Sequence, residues 1–225
     1  MSLLGRAAIA MWWDMAPEHR VEFEDWHSHE HFPERMSVPG FMRGSRWADE
    51  QGGEGFFVLY ELNEYETLTS PTYRARLNDP TPWSREMMPR HRHMTRSQCH
   101  VVASFGAGIG RLVQTVQFSL GQRTGNESAQ EAFTALLAPL TAQAGITGAH
   151  LLRTDTPAAQ ATTEQRIRGG DKEADWILML VGYAGDALAH AAQAVVGTIC
   201  VDDPGGRGTP ASLYDLRATL TSCEV

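Results

Sequence analysis

The order of secondary structure elements predicted along the chain limits its fold more than any other feature. Short apolar runs rich in aromatic and β-branched residues predict strands, and stretches rich in charged residues predict the helices between them. In the first half the order is strand-helix-strand-strand-helix-strand. The strands are predicted at 7–15, 41–49, 55–63 and 98–105, and the helices at 17–32, 64–77 and 85–88.

The same order returns after the glycine-rich segment GAGIG at 106–110. This segment lies between two strands, so it lacks the helix N-terminus that a dinucleotide-binding turn needs, and we interpret it as a linker. The second-half strands are predicted at 112–120, 146–154, 175–183 and 212–220, the helices at 128–144 and 186–196, and a polar loop at 157–172.

Two strand-helix-strand-strand-helix-strand series in tandem predict two ferredoxin-like repeats, 1–106 and 107–225. Runs such as FFVLY at 56–60 and WILMLV at 176–181 are apolar at successive positions, so both faces of each sheet must be covered. We therefore predict an α+β fold of two ferredoxin-like βαββαβ units whose antiparallel sheets face each other, as an intrachain dimeric-type α+β barrel.

Composition narrows the choice of partner and compartment. With 19 Lys and Arg against 27 Asp and Glu, the net charge of -8 would repel nucleic acid and anionic membranes, so neither is expected as a partner. Three cysteines without CxxC spacing favour a reducing cytoplasm over a disulfide framework or a structural zinc site. A small-molecule ligand is expected, and a homodimer of the two-repeat chain is left open.

Several segments of the first half resemble one family. The chain resembles the EthD-like branch of the dimeric α/β-barrel superfamily in the segments Phe23-x-x-Trp26-x-x-x-Glu30-His31-x-Pro33-Glu34-Arg35, VPGF (38–41), FFVLYEL (56–62), SPTY (70–73) and PTPW (80–83). Inside the first segment, His27 takes the usual place of a tyrosine, His29 is additional and Phe32 replaces an isoleucine. The resemblance implies the barrel fold. It also implies kinship with small cofactor-independent enzymes and accessory proteins, many of which have no assigned activity.

The segment WHSHEH at 26–31 is the main candidate for chemistry. On a helix, His27 and His31 are four residues apart and lie on one side, whereas His29 points away. A metal site would need a third ligand, such as Glu30 or one of the distant histidines 91, 93 and 100. The alternatives are proton transfer by His31 and histidines that only favour the helix dipole.

We place the predicted site in a pocket of the first half that binds or transforms a small apolar or aromatic molecule. No metal or cofactor is expected, and whether the chain is an enzyme is left open. The catalytic candidates are His31 as acid/base with Glu30 and His27, and the substrate-binding candidates are Phe23, Trp26, Arg35, Tyr60 and Trp83.

Two other functions remain open. The tandem barrel could be a non-catalytic binding or assembly module, in which case no cavity is expected beside Trp26 and His31. It could instead bind haem through a histidine of the second half, and the candidates there are His150 and His190.

Overall fold

The computed structural model describes residues 3–119, 126–155, 161–168, 172–202, 207–208 and 211–225. The strands are β1 Ala7–Asp14, β2 Phe41–Asp49, β3 Gly55–Leu62, β4 Arg92–Gly106, β5 Leu112–Ser119, β6 Ile146–Thr154, β7 Trp176–Gly182, β8 Arg207–Gly208 and β9 Ser212–Thr221. The α-helices are α1 Pro17–Trp26, α2 Phe32–Met36, α3 Pro71–Asn78, α4 Pro82–Met87, α5 Asn126–Leu137, α6 Thr163–Arg168 and α7 Gly185–Asp202. A π-turn spans His27–His31, and 3-10 turns span Tyr65–Thr69, Met88–Arg90, Ala138–Ala142 and Ser222–Glu224.

The described residues form two compact units. The first unit comprises those of Leu4–Cys99, Asp155–Glu173 and Arg217–Val225, and the second those of Met1–Leu3, His100–Thr154 and Ala174–Leu216. Helix α6 therefore belongs to the first unit, although it follows the first half of the sequence by more than fifty residues. The predicted repeats 1–106 and 107–225 stay a prediction.

The sheet of the first unit has the strand order β4-β1-β3-β2-β9. Strand β1 pairs antiparallel with β3 from Ala7 opposite Leu62 to Asp14 opposite Gly55. Alternate residues of β1, including Ile9 and Trp13, pack into one hydrophobic cluster with side chains of α1 and α2. This alternation places the side chains of one sheet face beneath the helices that carry the WHSHEH segment.

The segment from Pro17 to Met36 departs from the predicted single helix. A helix ending near Phe32 was predicted because Pro33 disfavours α geometry before it, but the helical path continues to Met36. The five-residue π-turn lies just before the proline, and the Phe32 N–H donates to the His27 carbonyl, five residues back. This widened turn accommodates Pro33, which cannot donate a backbone hydrogen bond.

The helix predicted at 64–77 is also divided. Tyr65–Thr69 is a 3-10 turn, and α3 begins only at Pro71. Ser70 is extended, and its hydroxyl accepts a hydrogen bond from the Tyr73 N–H, so it caps α3. Because Pro71 has no N–H, the preceding turn cannot continue through it, but it suits the first position of a new helix.

Helix α6 corrects the prediction of a polar loop at 157–172, of which residues 157–160 and 169–171 lie outside the described residues. Thr162 and Gln165 form a capping box around its start. The Gln165 N–H donates to the Thr162 hydroxyl at 3.3 Å, and the Thr162 N–H donates to the Gln165 side chain at 2.9 Å. The Thr163 N–H also donates to Asn78 Oδ1 at 3.2 Å, which joins α6 to α3.

In the second unit β5 pairs antiparallel with β7 and β9, and β7 pairs antiparallel with β6. Phe133 and Leu137 of α5 and Leu188 of α7 pack with alternate strand residues into a second hydrophobic cluster. Gly106 has a φ of +99°, and a Cβ atom there would lie 2.0 Å from the Thr147 carbonyl oxygen. Among the described residues, no helix has both the length and the apolar character needed to cross a membrane.

Candidate active site

A cavity of about 20 Å3 lies inside the first unit, where the π-turn faces β1 and the start of β4. That volume holds about one or two water molecules. Its walls are thioether, aromatic and imidazole side chains, with a single guanidinium. The lining residues are Met11, Trp13, Trp26, His27, His31, Met88, His91, Met94 and Arg168.

The π-turn brings His27 and His31 to this cavity together. Their ring centroids are 5.7 Å apart, and the residues are 1% and 7% exposed. His29 lies between them in sequence but points outward, with 74% of its side chain exposed and Nδ1 2.7 Å from Asp25 Oδ1. The predicted separation of His27 and His31 from His29 therefore agrees with the structure, although the turn is π and not α.

Both buried imidazoles are held in the neutral form. Burial lowers the pKa of His27 well below its ordinary value, and the nearby Arg46 and His91 lower it further. Burial also lowers the pKa of His31, with further contributions from Arg35 and His27. The Nδ1 atoms of His27 and His31 are buried and have no hydrogen-bond partner among the described residues. Each ring thus keeps hydrogen-bonding capacity that the protein does not use.

His31 is held between an aromatic ring and a carboxylate. Its imidazole stacks on the indole of Trp26, with centroids 4.5 Å apart and planes 29° apart. Its Nδ1 lies 3.9 Å from Glu34 Oε2, too far for a hydrogen bond but close enough to stabilise a positive charge on the ring. Burial raises the pKa of Glu34, although Arg35 acts in the opposite direction.

Glu30 supports Trp26 and does not line the cavity. Its Oε1 accepts hydrogen bonds from the Trp26 indole N–H at 3.1 Å, the Thr81 hydroxyl at 2.5 Å and the Ser84 hydroxyl at 3.3 Å. Thr81 is also the N-cap of α4. Glu30 therefore connects the Trp26 indole, on which His31 stacks, to the start of α4. The structure places Glu30 beside Trp26, where it supports the indole.

His91 adds a third imidazole to the cavity wall. Its Nδ1 lies 3.1 Å from the carbonyl oxygens of both Met87 and Met88, so this nitrogen carries the hydrogen. In neutral His91 the remaining nitrogen, Nε2, is consequently an acceptor. The ring centroid lies 5.0 Å from that of Trp13.

Arginines and carboxylates form a buried cluster beside the cavity. Arg35 and Glu164 are 3% and 4% exposed at their side chains, and Arg35 Nη2 donates to Glu164 Oε1. Burial lowers the pKa of Arg35, but Glu164 and Glu34 more than offset this, so its net pKa is raised and it stays charged. Arg168 lies one helical turn beyond Glu164, with Nη1 3.6 Å from Glu164 Oε2.

The predicted substrate-binding residues divide into two groups. Trp26 lines the cavity, whereas Phe23, Arg35, Tyr60 and Trp83 do not. Phe23 packs on His27 with ring centroids 5.5 Å apart, and Tyr60 Oη lies 3.5 Å from His27 Nε2. Burial raises the pKa of Tyr60, so its hydroxyl keeps its proton. Trp83 is partly buried against the core cluster.

Trp13, Met11 and Arg168 were not among the predicted site residues. The alternation of Ile9, Met11 and Trp13 in the first strand already indicated that they share a sheet face. The sequence TTEQ at 162–165 fits a capping box and indicated the helix that carries Arg168. No local pattern indicated that this helix would lie against the first unit.

The structure also locates the histidines considered as metal or haem ligands. Among the described residues, no three His, Cys, Asp or Glu side chains lie together in a way that could hold a metal ion. His150 is 1% exposed and its Nδ1 is 3.0 Å from the Ser104 hydroxyl, while His190 is exposed on α7.

Comparisons with known proteins identify the fold. No protein-family model matches the sequence, and no curated protein does. Among solved structures, an anthrone oxidase-like protein superposes with a TM-score of 0.63 at 14% identity, over 96% of this chain and 93% of that one. A candidate monooxygenase from Fusobacterium nucleatum has a TM-score of 0.60 at 10% identity, over 96% and 95% of the two chains. A candidate chlorite dismutase has a TM-score of 0.56 at 8% identity, over 96% of both chains.

At these identities the likeness shows the fold alone. The neighbours are proteins of the dimeric α+β-barrel, ferredoxin-like type, so the predicted α+β fold class is confirmed.

Proposed function

We propose that the first unit carries an acid/base site for a small aromatic molecule, with neutral His31 as the group that takes and returns a proton. The observation that carries this proposal is the pair of enclosed imidazoles, His27 and His31, whose buried Nδ1 atoms lack partners beside a cavity with apolar walls. Buried polar groups normally find partners, and exceptions concentrate at functional sites. We also propose, from the sequence resemblance of this segment, that the chain is related to the EthD-like branch.

The proposed reaction begins with removal of a weakly acidic proton from the bound molecule. Because the pKa of His31 is lowered, its imidazole is neutral at physiological pH and has a lone pair available. The carboxylate of Glu34, 3.9 Å from Nδ1, stabilises the positive charge that the ring acquires. The indole of Trp26 holds the ring plane while the proton is transferred. Return of the proton to the product restores neutral His31.

Entry of a substrate requires the cavity to enlarge. Three of the nine lining residues are methionines, Met11, Met88 and Met94. Methionine is unbranched and flexible, and it adapts to irregular space more readily than other apolar side chains. We propose that these side chains move aside and leave Trp13 and Trp26 as flat walls against an aromatic ring.

Anthrone is a suitable probe, because one structural neighbour is described as anthrone oxidase-like. It is aromatic, and loss of one C–H proton converts it to a stabilised anion. Reaction of that anion with O2, together with return of the proton from His31, gives anthraquinone and one water, with one O2 consumed per anthrone. Binding is measured by quenching of tryptophan fluorescence, and turnover by O2 uptake and the absorbance of anthraquinone.

The decisive variants are His31→Gln and the matched control His29→Gln, which alters an exposed histidine of the same turn. Loss of an acid/base group lowers rates by about 100-fold to 10000-fold, so we expect His31→Gln to fall in this range and His29→Gln to stay within twofold of wild type. Equal rates in His31→Gln and wild type would refute the proposal.

The small volume of the cavity favours one other function, a non-catalytic binding module. In that case anthrone would quench tryptophan fluorescence without O2 uptake above the uncatalysed rate. Absence of both binding and turnover would contradict an aromatic ligand altogether. A Soret band that shifts on addition of haem would support the haem hypothesis, in which His150 or His190 is the ligand.

A further inference from the structure

Arg168 gives the cavity a charge that the acid/base proposal does not use. Its side chain is 6% exposed, and it reaches the cavity from α6. The carboxylate of Glu164 is shared: Oε2 lies 3.6 Å from Arg168 Nη1, while Oε1 accepts a hydrogen bond from Arg35. One carboxylate therefore lies between two buried guanidinium groups.

The walls of the cavity have no negative charge of their own. Of the nine lining residues, Arg168 is the one with a permanent charge, and none is Asp or Glu. His27 and His31 are enclosed, and their Nδ1 atoms have no partner among the described residues. The lining thus combines one fixed cation with proton acceptors, in apolar surroundings where charges interact strongly.

A proton on His31 and an anion in the cavity stabilise each other in this arrangement. In the empty cavity, a protonated His31 would be buried near Arg35 and Arg168, and like charges in apolar surroundings are unfavourable. An anion beside Arg168 reverses that balance, because it attracts both the guanidinium and the protonated ring. A neutral ligand has no such effect.

We propose that the cavity binds a small aromatic molecule bearing an acidic hydroxyl group and holds it as the phenolate, with the oxygen on the Arg168 guanidinium and the released proton on His31. The O–H bond of the ligand breaks, its electron pair stays on oxygen, and the proton forms a new N–H bond on His31, so no other reactant is needed. This inference rests on the proposed function and specifies the ligand class for the same site.

The test uses 4-nitrophenol and its analogue nitrobenzene, which lacks the hydroxyl. The phenol and phenolate forms of 4-nitrophenol absorb at different wavelengths, so the spectrum reports where the proton is. At a pH one unit below the pKa of the free probe, we expect wild-type protein to bind it with a phenolate spectrum. The variant Arg168→Gln removes the charge, Arg168→Lys keeps it, and the control Arg166→Gln alters an exposed arginine of the same helix.

Loss of a buried, charge-assisted hydrogen bond corresponds to about tenfold to hundredfold weaker binding. We expect Arg168→Gln to lose that much affinity for 4-nitrophenol together with the phenolate spectrum, and to change nitrobenzene affinity less than twofold. Arg168→Lys should keep the phenolate spectrum, Arg166→Gln should match wild type, and His31→Gln should bind the probe only as the phenol.

Three results would overturn the inference. They are a wild-type complex with the phenol spectrum, equal loss of 4-nitrophenol and nitrobenzene affinity in Arg168→Gln, and equal effects of Arg166→Gln and Arg168→Gln. If anthrone turnover still depends on His31 in any of these cases, the acid/base proposal stands and only the phenolate inference fails. If wild-type protein binds no aromatic probe, both fail.

Discussion

Removal of the Glu164 carboxylate should destabilise the first unit, because it would leave Arg35 buried with a weaker counter-ion. Both side chains are almost fully enclosed, and Arg35 donates directly to Glu164. Removing one partner of a buried ion pair typically costs about 3 to 5 kcal/mol. Glu34 remains 3.6 Å from Arg35 Nη1 and compensates in part, so we place Glu164→Gln at the lower end, about 3 kcal/mol.

Urea denaturation followed by tryptophan fluorescence measures this loss, since Trp13 and Trp26 belong to the same core as α6 residue Ile167. The matched control is Glu66→Gln, an exposed glutamate of the first unit, which should change the free energy of unfolding by less than about 0.5 kcal/mol. Hydrogen exchange adds a local readout, because amides of α6 should lose protection in Glu164→Gln before those of β3.

A double variant separates the contribution of the Arg35–Glu164 ion pair to stability from that of its surroundings. Replacement of a buried ion pair by apolar residues of similar volume is often neutral or stabilising. Arg35→Met combined with Glu164→Leu should therefore be more stable than Glu164→Gln, although Arg168 loses the Glu164 carboxylate in both. A loss below about 1 kcal/mol in Glu164→Gln, or a double variant as unstable as the sum of the single changes, would refute the claim that Glu164 compensates a buried cation.

Three further predictions concern pH, the support of Trp26 and one glycine. The pKa values of His27 and His31 are lowered in the folded state, so below pH 6.5 the unfolded chain binds more protons than the folded one. Stability is therefore fully present above that pH and decreases as the pH falls toward the lowered pKa values. The decrease is up to about 1.4 kcal/mol per pH unit for each histidine, so urea titrations should show a smaller slope in His31→Gln than in wild type. Glu30→Gln weakens three hydrogen bonds to a carboxylate and should cost about 1 to 2 kcal/mol, with a changed Trp26 emission spectrum that Glu66→Gln does not show. Gly106→Ala places a methyl group against the Thr147 carbonyl and should cost more than about 2 kcal/mol, whereas Gly52→Ala, with a φ of +81° and open space around it, should cost only about 1 kcal/mol in thermal or urea unfolding.

Local sequence patterns predicted the elements that a periodic arrangement of side chains defines. The apolar alternation of β1 and the aromatic run of β3 identified both strands to within one residue of their observed ends. The four-residue spacing of His27 and His31 placed both on one side, and this holds in the π-turn as well. These features depend on periodicity, which the sequence displays directly.

The features that the sequence did not predict depend on contacts between distant residues. The rule that a proline ends a helix was applied at Pro33, but the π-turn before it removes the conflict. Helix α6 was missed as an element because five of its six residues are polar, and it is anchored to the first unit by Arg35 and Asn78. Arg168 therefore reaches the cavity through contacts that span more than eighty residues of sequence, and no local pattern indicates these.

The π-turn also determines the direction around the helix axis in which each following side chain points. It contains one residue more than an α-helical path over the same length would need. Deletion of Ser28 would return the path to α geometry, and the following side chains would rotate by about 100° around the helix axis. His31 would then leave the face of Trp26, while the helix itself could remain intact. The number of residues between Trp26 and Pro33 therefore determines whether position 31 faces the cavity, while the residue at that position determines what chemistry it brings.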